Sequence, residues 1–170
     1  MPTEISGSTG VNKIQDGTVV AGDLAGSVAL GKVLQVVQGS LQVETSTTSG
    51  SFVSTGLTAT ITPSSTSNKI LASYTAPGGS SHNNSSNAAF TLFRGTISDT
   101  NLGGNDWGYG YDNSTGGNTG CELDSPNTTS AVTYTVAMRN DAAASTGICK
   151  GSGTNANTSR ATLTLMEIAG

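Results

Sequence analysis

Along most of this chain apolar and small polar residues alternate one by one, and that alternation leaves few choices of fold. In GLTATITP, Leu57, Ala59 and Ile61 take one parity and Thr58, Thr60 and Thr62 the other. KILASYT repeats the pattern with Ile70, Ala72 and Tyr74, and AAFTLFRG with Phe90 and Leu92. AVTYTVAMR carries it through Val132, Tyr134, Val136 and Met138. ATLTLMEIAG sends Leu163 and Leu165 one way, Met166 and Ile168 the other. In KVLQVVQGSLQVE, Val33, Val37, Leu41 and Val43 share a parity opposite Gln38, Ser40, Gln42 and Glu44. Successive side chains of a strand point to opposite sides of its sheet, so each segment reads as a strand with one buried and one solvated face.

The separators are TSTTSGS, PSSTSN, PGGSSHNNSSN, SDTNLGGND, DNSTGGNTG, DSPNTTS and KGSGTNANTS. Gly, Asn and Asp tolerate the backbone angles of tight turns, and Pro63, Pro77 and Pro126 stand where no ladder donor is needed. About eight strands at this spacing predict an all-β, jelly-roll-like antiparallel sandwich over residues 32–170. Composition then matters for the core. Half the residues are Ser, Thr, Gly or Asn, and aromatic residues make up 5%. So thin a core is marginal for a lone sandwich, and burying outer-face Thr, Ala and Val between copies is the simplest remedy. We expect a homotrimer, since small side chains let several chains meet at one axis.

Residues 1–31 differ from the rest. They have no aromatic residue and only scattered apolar ones, among them Ile14, Val19, Val20, Leu24 and Val28. That is too little apolar surface for an independent core. The segment is expected to be a short extended anchor, held by contact with another protein or with copies of itself.

Charge narrows the function classes. Seven basic and eleven acidic side chains give a net charge of −4, which repels a phosphate backbone and argues against nucleic-acid binding. No apolar run approaches the 18 or so residues of a membrane span, so no membrane insertion is expected. MPTEISGSTG lacks the basic and apolar regions of a signal peptide, which points to folding in a reducing cytosol. Cys121 and Cys149 are there expected to stay thiols, and with one histidine they fall short of a metal site.

GKVLQVVQ, SFVSTGLTATITPSSTSNKILASY, AAFTLFRG, ELDSPNTTSAVTYTVAMR and SRATLTLMEIAG, in that order, resemble small tail-fibre and head-appendage proteins of tailed bacteriophages, particularly marine ones. IQDGTVVAGDLAGSVALG is similar to the shaft segments that precede such domains. The resemblance spans about residues 12–170. It implies a virion structural protein, assembled in the host cytoplasm: an attachment segment at 1–31 that binds another virion protein, and a β-rich head, commonly trimeric. It supplies no catalytic residues and no cofactor. At 170 residues the chain has room for one knob and a short stem, which favours a short fibre or appendage, or a capsid decoration, over a full tail fibre.

Among candidate sites, DWGYGYD stands out. Trp107, Tyr109 and Tyr111 alternate, so on a strand their rings face one side. They could form a stacking platform for the sugars of a host surface polysaccharide, with Asp106 and Asp112 bonding hydroxyls. The same rings could instead fill the core or a subunit contact, the heavier reading in a chain so poor in aromatics. Asp99, Asp106, Asp112, Glu122 and Asp124 crowd one region without any calcium-loop spacing, and are expected to serve turns rather than a metal. His82 in GGSSHNNSS reads as a solvated loop residue, with no nucleophile elbow nearby in sequence. Arg94, Arg139 and Arg160 are expected at exposed strand ends. No enzymatic activity is expected.

Overall fold

The computed structural model describes residues 32–77, 88–103, 117–140, 147–149 and 160–170, all within one compact unit, Lys32–Gly170. Ten strands appear among them, and no helix. They are β1 (Val33–Leu41), β2 (Thr45–Thr47), β3 (Val53–Ile61), β4 (Lys69–Pro77) and β5 (Ala88–Arg94), followed by β6 (Thr100–Asn101), β7 (Gly117–Asp124), β8 (Val132–Asn140), β9 (Gly147–Cys149) and β10 (Ala161–Ile168). One four-stranded sheet has the order β1-β10-β4-β7, the other β3-β8-β5-β6, and β2 and β9 form a separate ribbon. Every pairing is antiparallel. The two large sheets pack as a β-sandwich, as the alternation predicts. If the eight strands of these sheets are numbered in chain order, they read 1-8-3-6 and 2-7-4-5, and the early strands alternate between the sheets.

The core forms where the apolar parities meet. Leu57, Ala59 and Ile61 of β3, Ile70, Ala72 and Tyr74 of β4, and Leu163 and Leu165 of β10 are all buried. Phe90 and Leu92 of β5 and Tyr134, Val136 and Met138 of β8 complete it, so the β3-β8-β5 side closes on the β10-β4 side. Gly39 lets β1 approach β3, because a Cβ there would run into the Thr58 carbonyl oxygen. Gly56 takes a φ of 84° within an irregularity between Ser54 and Thr58, and the buried Thr55 hydroxyl bridges it by donating to the Val136 carbonyl at 2.7 Å.

Several strand assignments differ from the sequence reading. β1 ends at Leu41, leaving Val43 beyond it and 68% exposed. A bulge between Val33 and Gln35 turns Val33 to the outer face, so only Val37 and Leu41 of that set pack on the core. Asn118 to Gly120, read as part of a turn, belongs to β7, because pairing with β4 from Pro77 to Ile70 imposes extended backbone despite the glycines. Short strands also lie in TSTTSGS and SDTNLGGND. Nor does every strand have a solvated face. In β5 Ala89, Thr91 and Phe93 are as buried as Phe90 and Leu92, and β8 is closed off on both sides from Tyr134 to Met138. The chain's own 45–52 stretch helps to cover that outer face. Asn140 donates from its amide to the Ser49 carbonyl at 2.8 Å and from its side chain to the Thr47 carbonyl at 2.6 Å. The Phe52 ring meets Phe93 edge-on at 5.9 Å, with the Arg139 guanidinium 4.9 Å above it.

Candidate functional site

The sandwich has two unlike poles. At one, β1 begins, β10 ends, and the turns 62–68, 95–99 and 125–131 join strands tightly. Two buried polar clusters tie this pole. Glu167 shares the parity of Leu163 and Leu165 and is therefore carried inward, with 1% of its surface exposed. Its carboxylate accepts hydrogen bonds from Gln35 Nε2 at 2.6 Å, the Ser64 amide at 2.7 Å, the Ser64 hydroxyl at 2.8 Å and Asn68 Nδ2 at 2.6 Å. The bulge in β1 sets Gln35 directly across from Glu167. Desolvation raises the pKa of this carboxyl, but the four donors outweigh it and bring it down to about 2. In the second cluster Asp124 accepts from the Tyr134 hydroxyl at 2.8 Å and from Arg94 Nη1 at 3.0 and 3.2 Å. Burial, and then the Asp124 carboxylate, push the Tyr134 phenol well above its ordinary range, so it stays a donor.

These clusters correct two expectations. Asp124 is a buried ion-pair partner rather than a turn residue, and Arg94 is held by it rather than simply exposed. Arg139 is likewise half-buried over Phe52. Asp99 does serve a turn: it accepts from the Thr96 amide and hydroxyl at 2.7 and 2.8 Å, which holds its carboxyl below the usual range.

At the opposite pole lie the ends of β1, β4 and β8 and the starts of β5, β7 and β10. In sequence, 78–87 run between β4 and β5, 104–116 precede the start of β7, 141–146 follow the end of β8 and 150–159 precede the start of β10. The residues singled out in the sequence, Trp107, Tyr109, Tyr111, Asp106 and Asp112, belong to one of those connections and lie outside the described residues, as does His82. The proposed anchor residues Ile14, Val19, Val20, Leu24 and Val28 lie outside them too.

A feature that sequence reasoning missed is the outer face of the β1-β10-β4-β7 sheet. The ladder register aligns Val36, Met166, Leu71 and Leu123 in one row across all four strands. Its two ends stand open, Val36 at 58% and Leu123 at 57% exposure. Beside it Val33 and Ile168 pair, with Lys69 next to them. Away from that end the rows turn polar and neutral: Gln38, Thr164, Ser73 and Cys121, then Ser40, Thr162, Thr75 and Thr119. Lys69 is the one charge among these paired positions. The edge strand β7 is inverted, turning Leu123 and the free thiol of Cys121 outward while Glu122 and Asp124 point inward. The available signal was the run KVLQVV, whose valines occupy both parities, together with Met166 and Ile168 at the outward parity of β10.

No protein-family model matches the chain, and neither does any of the curated proteins compared with it.

Proposed function

We propose that this chain is a non-enzymatic virion structural protein of a tailed bacteriophage, a short homotrimeric appendage fixed through residues 1–31 and presenting a β head outward. The observation that carries this reading is the polarity of the sandwich. β1, which follows residues 1–31 in sequence, begins at the pole braced by the Glu167 and Asp124 clusters, while β7, which follows the segment with Trp107, Tyr109 and Tyr111, begins at the other. Attachment at one end and display at the other is what an appendage requires. The sheet orders 1-8-3-6 and 2-7-4-5 support reading the head as a jelly roll. The sequence resemblance to small phage fibre and head-appendage proteins supports the setting. Host attachment would then work by multivalency: weak contacts between loop residues and surface glycans add up over many copies on a particle.

Particles that lack the chain test this reading. Adsorption to host cells should fall severalfold, and should recover with the wild-type chain but not with Trp107→Ala. Normal adsorption with a loss of heat or osmotic resistance would instead make the chain a capsid decoration protein. Particles unchanged in both respects would overturn the proposal.

A further inference from the structure

We infer that the outer face of the β1-β10-β4-β7 sheet is the surface through which copies of this chain join around a three-fold axis, with Leu123 of one protomer against Val36 of the next. The inference rests on the homotrimeric reading above and gives it a contact surface. Three observations lead to it. On the outer face of the other sheet the chain's own Phe52 packs against Phe93 beneath Arg139, whereas this face leaves an apolar row with exposed ends. Scattered exposed apolar residues are ordinary, but a row continuous across a sheet marks a contact. With Lys69 as its one charge among the paired positions, the face meets a copy of itself with little repulsion, although the chain as a whole carries −4.

Three copies can close this face around an axis. The row runs across the strands, so with strands along a common axis every copy brings its row to the same height. Three faces turned inward form a prism whose corners each join a β7 edge to a neighbouring β1 edge. The most exposed ends of the row, Leu123 on β7 and Val36 on β1, are what these corners would cover. The next row places Cys121 opposite Gln38 of the neighbour in the same way. Four strands about 4.8 Å apart and eight residues long give a face of roughly 500 Å², so each of the three contacts buries about 500 Å², less than a lone two-body interface needs, and the assembly depends on all three closing together.

The test is the mass of the full chain in solution, measured by light scattering on a sizing column, together with cysteine trapping. The wild type should carry the mass of three chains. Val36→Glu and Leu123→Glu should each bring a threefold fall, to the 16.9 kDa of one chain. Both positions are exposed, so circular dichroism and the melting temperature of the dissociated chain serve to confirm that it remains folded. Gln38→Cys should cross-link with native Cys121 under mild oxidation into a covalent trimer, and Cys121→Ser in that background should abolish it. A wild-type trimer that both glutamate variants leave intact would overturn the assignment of the face while leaving a trimeric appendage standing. A monomeric wild type would overturn trimerisation in both readings, and a covalent dimer would overturn the three-fold arrangement.

Discussion

Replacing Glu167 with glutamine keeps the shape of the side chain and removes its charge, and the surroundings make that exchange costly. All four partners of the carboxylate are donors: the amide and hydroxyl of Ser64, Asn68 Nδ2 and Gln35 Nε2. A glutamine NH₂ in place of Oε2 would point a donor at the donor of Gln35. Gln35 could turn its amide round, but would then give up its 2.7 Å bond to the Thr62 carbonyl. A hydrogen bond to a charged group contributes about 1.5–3 kcal/mol and a neutral one about 1, so three weakened bonds and one conflict come to about 2–4 kcal/mol near neutral pH. For a domain of this size that is a fall of roughly 5–15 °C in melting temperature. The pH dependence follows from the lowered pKa. Because the folded carboxyl binds its proton less readily than the unfolded one, its contribution is complete above the ordinary value of 4.5 and is lost as the pH falls towards about 2. A shift of that size corresponds to at most about 3 kcal/mol, less whatever solvent screens at the rim of the sandwich. Urea unfolding of Glu167→Gln and wild type at several pH values measures the gap directly. The reasoning fails if the variant lies within about 0.5 kcal/mol of wild type near pH 7, or if the gap does not narrow between about pH 5 and pH 2.

Tyr134→Phe should destabilise the sandwich by about 1–2 kcal/mol in the same assay, since Asp124 loses a buried donor and keeps only Arg94. Gly39→Ala should cost about 1–3 kcal/mol, because its Cβ would meet the backbone carbonyl of Thr58, which cannot swing aside; unchanged unfolding would show that β1 packs on β3 more loosely than the structure has it.

The alternating segments made the sandwich legible. In β3, β4 and β10 the residues of apolar parity are the buried ones, and the polar parity stays outside or half-buried. Parity also places Glu167 inward, but a carboxylate among leucines is a signal that is easily passed over without knowing that Gln35, Ser64 and Asn68 converge on it from distant segments. Burial of both faces of β5 was written in the near-continuous run AAFTLF, whereas the stretch that helps cover it, residues 45–52, has the composition of a loop. β7 was the least readable. NTGCELD has turn-like residues and reversed polarity, and only its pairing with β4 makes it a strand. The exposed row depends on register between strands far apart in sequence, which no local pattern specifies.

The phrases that carry the resemblance to phage appendages gain a structural meaning. GKVLQVVQ supplies Gln35, ITPSSTSNKI supplies Ser64 and Asn68, and LTLMEIAG supplies Glu167, so three of them build one buried cluster. AAFTLFRG and ELDSPNTTSAVTY supply Arg94, Asp124 and Tyr134, the other. These motifs therefore brace the pole where β1 begins, and Asp106, Trp107, Tyr109, Tyr111 and Asp112 belong to none of them.

The central claim is that this chain is displayed on a virion through residues 1–31, and imaging of purified particles tests it most directly. Antibody raised against residues 32–170 should label a fixed position on the outside of the particle, and particles made with a chain lacking residues 1–31 should lose that label while the free head remains folded. The account is contradicted if purified particles carry no label, or if the truncated chain still assembles onto them.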